Sequence, residues 1–92
     1  MNTSNVSLLR PNGTQESHPY PTTLDGWQKL VGGYIEVVER QGLILVVNEE
    51  GLLRELSPNI QASFLVGQPI VGDAVLLQGE ALSRFRRDDE EV

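Results

Sequence analysis

The sequence predicts a small α+β domain, with an antiparallel or mixed sheet and two or three short helices. An apolar set at helical spacing ends at Gly32 and Gly33. Two apolar strand candidates follow within residues 34–48, and then a second helix candidate and a late apolar run. A chain of 92 residues is long enough for one such domain and too short for two.

The first 21 residues are rich in Asn, Ser, Thr and Pro, and we interpret them as an N-terminal extension with one short strand at residues 6–10. The core domain is predicted over residues 22–87. Four of the thirteen acidic residues lie in residues 88–91. Residues 88–92 are therefore predicted to form a solvated acidic tail, although a tail that docks on a partner is the alternative.

The predicted core begins with a helix, in which Asp25, followed three residues later by Gln28, is the expected cap. Its apolar residues recur at helical spacing: Leu24, Trp27, Leu30 and Val31. Residues 34–39 and 43–48 follow as strands joined by a turn short enough for an antiparallel hairpin. Residues 43–47 are all apolar, so both faces should be covered and this should be the central strand.

A second helix is predicted to start at Ser57, whose hydroxyl accepts from free backbone N–H groups, with Pro58 at the first helical position. This helix should end at Gly67 and turn three apolar residues to the core: Ile60, Phe64 and Leu65. A last strand is expected over residues 70–71 and 74–77, interrupted at residues 72–73. A short helix over residues 80–87 should close the domain.

Several of these segments resemble a family of short phage, plasmid and bacterial proteins known only as a domain of unknown function. The segments that carry the resemblance are LVGGYIEVV, VVNEEG, the Pro58-Asn59 pair with Ala62, and IVGDAVLL. They lie within residues 24–78, about two thirds of the chain. The resemblance implies a small α+β domain from mobile or phage genomes, and it supplies no catalytic residue.

Composition excludes several classes of protein. The net charge of −6 argues against broad adhesion to nucleic acid or anionic membrane, although the chain without its acidic run is near −2. There is no cysteine, no apolar stretch of membrane-spanning length and no signal-peptide pattern. We expect a cytoplasmic protein without a cofactor. Because a core this small leaves much surface unburied, we expect a homo-oligomer.

One polar group of residues is a candidate anion site: Arg54 with Ser57 and Asn59 at the start of the second helix. Free N–H groups, a helix dipole and a guanidinium are what an anionic ligand needs, but capping alone explains Ser57 equally well. The aromatic side chains of Trp27 and Tyr34 flank the glycine pair, where they would either stack on a base or fill the core.

These features predict a non-catalytic oligomeric binding protein with an anionic nucleotide-type ligand. By analogy with phage accessory proteins, its role would be counter-defence by sequestration of an immune signal. The alternative is a protein-interaction module or an inhibitor of a host protein. An enzyme ranks third, since no nucleophile with a base, metal-ligand set or cofactor motif is present.

Overall fold

The computed structural model describes residues 5–90, with five strands and three helices. In chain order these elements are β1 (Asn5–Leu9), β2 (Gln15–Pro19), α1 (Leu24–Val31), β3 (Ile35–Arg40), β4 (Leu43–Asn48), α2 (Ile60–Val66), β5 (Ala74–Leu77) and α3 (Glu80–Glu90). All strand pairings are antiparallel, and the order across the sheet is β2-β1-β5-β4-β3. The predicted α+β class is confirmed.

The N-terminal segment is part of the main sheet. Its first strand was predicted, but β2 was not, because its sequence QESHP carries no apolar pattern. β1 pairs with β5 as well as with β2, so the expectation of an extension with a single strand is wrong for the described residues. Residues 1–4 of the predicted extension and residues 91–92 of the predicted tail lie outside the described part of the chain.

Two apolar clusters lie on opposite faces of the sheet. Strands β4 and β5 supply alternate residues to each cluster, and α1 and α3 cover one face while α2 covers the other. All of β4 beyond its first residue is buried, as predicted. β5 occupies the centre of the sheet and β4 is its neighbour, so the prediction that residues 43–47 form the central strand is wrong in position.

The cap of helix α1 lies two residues before the predicted one. Thr23 is the N-cap residue, and its hydroxyl accepts a hydrogen bond from the Gly26 N–H at 3.1 Å, while Asp25 lies in the first turn. Gly32 ends the helix with φ of +81°, and its N–H donates to the Gln28 carbonyl. The predicted end of the helix is confirmed, and its predicted cap is corrected by two residues.

Helix α2 is capped by Asn59 and not by Ser57, which is exposed and lies two residues before the cap. The predicted end at Gly67 is confirmed. Its buried residues are Ala62 and Val66, with Leu65 partly buried against them. Ile60 and Phe64 are 73% and 86% exposed, so the prediction that they face the core is wrong.

The last two elements follow the predicted order with shifted ends. Residues 70–71 lie outside β5, and Val71 forms only an isolated bridge with Pro58. Helix α3 continues past residue 87 to Glu90, so residues 88–90 of the predicted acidic tail are helical.

Asp88 on this helix accepts a hydrogen bond from the Tyr20 hydroxyl at 3.2 Å. Burial of the Tyr20 hydroxyl, together with the nearby Asp88 carboxylate, raises the pKa of Tyr20 to about 12.

Candidate functional site

A cavity of about 300 Å³ lies where the end of α1 meets the segment between β4 and α2. Arg54 and Ser57, two of the predicted ligand residues, both line this cavity. Asp73 lines it too, just before β5. Its size lies at the lower end of the range for small-molecule sites. The cavity is the place in the described structure where part of the predicted site comes together.

Arg54 is held in place by the C-terminus of α1. Its Nη1 donates to the carbonyl oxygen of Gly32 at 3.2 Å, and Nδ2 of Asn48 donates to the carbonyl oxygen of Val31 at 3.1 Å. The last carbonyls of a helix have no partner within the helix, so both side chains satisfy acceptors that the helix leaves free. The hydrogen bond to Gly32 places the guanidinium of Arg54 at the cavity wall.

The charge of the cavity is mixed, because Asp73 brings a carboxylate to a site that Arg54 makes positive. Arg10 lies 3.2 Å from Asp73 and 2.8 Å from Glu16. The hydrogen bond to Glu16 and the charge of Asp73 raise the pKa of Arg10. A ligand with several negative charges would meet the Asp73 carboxylate, so the cavity favours one anionic group at Arg54 and a hydrogen-bond donor near Asp73.

Asn59 does not contribute to a ligand site. Its side chain is fully buried, with Nδ2 donating to the carbonyls of Leu9 and Gly72 at 2.9 Å and 2.8 Å. Its Oδ1 accepts from the Ala62 N–H at 3.0 Å. Because the amide is used inside the protein, Asn59 is not available to a ligand, and Arg54 and Ser57 are the members of the predicted anion site that line the cavity.

The two aromatic residues predicted to stack on a base are also not part of the cavity. Trp27 is 8% exposed and packs edge-on against Tyr20 and Phe85, with ring centroids 5.2 Å and 5.6 Å apart. It fills the core, which was the alternative interpretation. Tyr34 is 63% exposed, but it does not line the cavity.

An apolar surface on the α2 side of the sheet was missed by the sequence analysis. Two neighbouring grooves share the segment from Gln68 to Val71. Four large apolar side chains along these grooves are 73% to 86% exposed: Leu52, Leu53, Ile60 and Phe64. We call these four residues the apolar surface. The sequence feature that could have revealed this surface is that α2 carries large apolar residues on more than one side.

Acidic residues lie beside one half of the apolar surface. Glu36 and Glu49 line the same groove as Leu52 and Leu53. This arrangement of apolar centre and charged rim is common where one protein binds another. The groove along Ile60 and Phe64 is almost purely apolar, with Pro58 and Pro69 at its sides.

Within residues 5–90, no group of three or more His, Cys, Asp or Glu side chains is placed to hold a metal ion. The one histidine, His18, lies 3.0 Å from Glu16 on strand β2. In the same part of the chain, none of the helices combines the length and the apolar character needed to cross a membrane.

The described features define a small α+β domain with a single five-stranded antiparallel sheet covered on both faces. The chain belongs to the family described as a domain of unknown function (DUF3846), whose model matches residues 3–86. This confirms the resemblance to an uncharacterised family, and the match extends well beyond residues 24–78. No curated protein and no solved structure matches this chain.

Proposed function

We propose that this protein is a non-catalytic interaction module that binds another protein through its apolar surface. The observation that carries the proposal is the exposure of Leu52, Leu53, Ile60 and Phe64 along two adjoining grooves. Contiguous exposed apolar surface is costly in water, and in folded proteins it marks interaction sites. Phage or mobile-element origin, a cytoplasmic location and action against a host protein belong to the same proposal.

The position of these residues supports binding over a role in folding. Ile60 and Phe64 are one helical turn apart on the exposed side of α2, while Ala62 and Val66 hold the helix to the sheet. The helix is therefore anchored without them. An aromatic side chain on a rigid helix is a typical anchor at a protein interface, because little entropy is lost when it binds.

The charges around Leu52 and Leu53 define the kind of partner. Glu36 and Glu49 line this groove, and Glu50 and Glu55 are exposed in the segment between β4 and α2. Complementary charge improves both the rate and the specificity of association. The expected partner is a protein that inserts apolar side chains and surrounds them with Lys or Arg.

Replacing both Ile60 and Phe64 with Ser tests this proposal. The immobilised wild-type chain should retain a host protein from extract, and the double variant should lose it. With the purified partner, the dissociation constant should rise at least about 30-fold, as the loss of an interface anchor costs about 2 kcal/mol or more.

The matched control carries Leu24→Ser and Tyr34→Ser, since these side chains are 60% and 63% exposed but lie outside both grooves. This variant should bind the partner as the wild type does. Equal binding by the Ile60 and Phe64 variant, or equal loss in the control, would contradict binding at the apolar surface.

The cavity favours a second function, the capture of a nucleotide-type ligand without chemical change. Arg54 offers a guanidinium and Ser57 a hydroxyl at one cavity, and Asp73 can accept from an amino group. Sequestration of an immune signal is the biological role that would follow. This candidate ranks second because the cavity is small and carries a carboxylate.

A thermal-shift screen against cyclic and linear mononucleotides tests capture, since a ligand that binds only the folded state raises the melting temperature. Arg54→Ala should abolish the shift, and Arg87→Ala, which removes an exposed arginine on α3, should keep it. After heat denaturation the ligand should be recovered unchanged. A modified ligand would indicate an enzyme, and no shift with any mononucleotide would remove this candidate.

A further inference from the structure

Strand β3 forms one edge of the sheet and pairs only with β4 among the described strands. An edge strand has backbone N–H and C=O groups along its outer side, ready to pair with another strand. The sequence of β3 is IEVVER, with Glu36, Val38 and Arg40 on the α2 side. We propose that two copies of this chain form a dimer by antiparallel pairing of β3 with β3.

The direction of the backbone groups follows from one hydrogen bond. The Glu49 N–H donates to the Tyr34 carbonyl at 2.8 Å, and the register of β3 and β4 places these two residues opposite each other. Hydrogen-bonded and non-hydrogen-bonded pairs alternate along an antiparallel ladder. Residues 36, 38 and 40 therefore bond to β4, and residues 35, 37 and 39 present their backbone groups to the outer edge.

This alternation restricts the registers in which two β3 strands can pair. A residue with outward backbone groups must lie opposite another such residue, which excludes every register that places an odd residue against an even one. The excluded registers include the one that pairs Glu36 with Glu39. One allowed register centres on Val38 and places Glu36 of each copy opposite Arg40 of the other.

The register centred on Val38 is the one in which charge is complementary. It forms two Glu36–Arg40 pairs on either side of a Val38–Val38 contact, all at non-hydrogen-bonded positions, where side chains approach most closely. The Val38 register places Glu39 opposite Val37, whereas centring on Val37 leaves both glutamates opposite apolar residues. Centring on Glu36 or on Glu39 places two like charges together. The sequence of β3 is thus self-complementary in a single register.

The side chains of β3 are available for these contacts. Glu39 is already paired on the other face of the sheet with Arg86, at 2.8 Å. Arg40 donates to the neutral side chain of Gln68 at 3.0 Å, and the salt bridges of the described residues include neither Glu36 nor Arg40. Partner carboxylates would therefore give Arg40 an ionic contact that it lacks within one chain.

The opposite edge of the sheet is protected against such pairing. Strand β2 ends at Pro19, which lacks an N–H donor, and its other residues are polar or charged. By contrast, β3 carries three apolar residues, of which Val37 is 45% exposed. The difference between the two edges identifies β3 as the one suited to a second copy.

Exchanging the charges at positions 36 and 40 tests the pairing. Light scattering across micromolar concentrations measures the molar mass of each variant. The wild type should have twice the 10.2 kDa mass of one chain. Glu36→Arg and Arg40→Glu should each weaken the dimer about tenfold or more, because each places like charges opposite each other. Mixing these two variants should restore a heterodimer, and the variant with both exchanges should dimerise as the wild type does. Glu50→Arg, away from β3, is the control and should not alter the mass.

A cross-link tests the register itself, since the natural chain contains no cysteine. Val38→Cys places two thiols at the two-fold axis, at a pair separation suitable for a disulfide, and oxidation should give a covalent dimer. Glu36→Cys should not cross-link, because its counterpart lies at position 40. A wild-type monomer at every concentration, or a dimer unaffected by the charge variants, would overturn the pairing. Cross-linking through position 36 and not 38 would overturn the register.

The dimer and the proposed function are tested by different readouts, although Glu36 also lines the groove beside Leu52 and Leu53. The apolar surface is tested with Ile60 and Phe64 on α2, whereas these variants are confined to β3. A monomeric wild type that still binds its partner would refute the dimer alone.

Discussion

Asn59 Nδ2 lies 2.9 Å from the carbonyl oxygen of Leu9, a hydrogen bond that joins the start of α2 to the end of β1 across fifty residues of sequence. The same nitrogen donates to Gly72, and the side-chain oxygen caps α2. One buried amide thus connects the N-terminal hairpin, the second helix and the approach to β5. It adds to the pairing of β1 with β5, which holds the segment before residue 21 in the main sheet.

Replacing Asn59 with Ala should lower the free energy of unfolding by about 2–5 kcal/mol. The change removes a helix cap and leaves two buried carbonyl groups without this donor. Urea denaturation measures the loss. Ser57→Ala is the control, because Ser57 is exposed and outside the helix, and it should change stability by less than about 0.5 kcal/mol. A larger effect at Ser57 than at Asn59 would contradict the assigned cap.

Replacing Val46 with Asp should unfold the domain. Val46 is fully buried on β4, and a carboxylate there has no charged partner in its apolar cluster. The cost should be on the order of 5 kcal/mol, comparable to the whole stability of a small domain. Circular dichroism on heating would show the loss. Leu53→Asp, at a side chain 85% exposed, should melt near the wild-type temperature.

Stability should fall as the pH drops from about 4.5 to about 2. The hydrogen bond from Arg10, with that from His18, holds the pKa of Glu16 at about 2, below its ordinary value of 4.5. A carboxyl group whose pKa is lower in the folded state stabilises the protein above the unfolded pKa, and this contribution disappears as the folded pKa is reached. Glu16 therefore contributes to stability at neutral pH and not at pH 2.

Melting temperatures measured between pH 2 and pH 6 would show this dependence. Glu16→Gln should flatten the curve in that window, whereas Glu50→Gln, at an exposed turn position, should leave its shape unchanged. If the two variants gave the same curve, the pair of Arg10 and Glu16 would not be the source of the acid sensitivity.

Local sequence patterns were sufficient for most of the secondary structure and for the α+β class. The hairpin of β3 and β4 follows from two apolar runs around a short turn, and Gly32 and Gly67 end their helices because a left-handed backbone there suits glycine. The burial of β4 follows from its lack of a polar face. Each of these features depends on neighbours in sequence, which is why it was predicted correctly.

The remaining features depend on contacts between distant residues. Strand β2 has no apolar pattern of its own and is a strand because β1 pairs with it. Ser57 and Asn59 are both suitable caps, and the carbonyls of Leu9 and Gly72 decide in favour of Asn59. Arg54 and Ser57 come together with Asp73 only because the loop before α2 folds over the end of α1. Helix α2 has apolar residues on more than one side, so their periodicity does not determine which side packs against the sheet. In the structure, the small side chain of Ala62 allows close contact with the sheet, and Ile60 and Phe64 face the solvent.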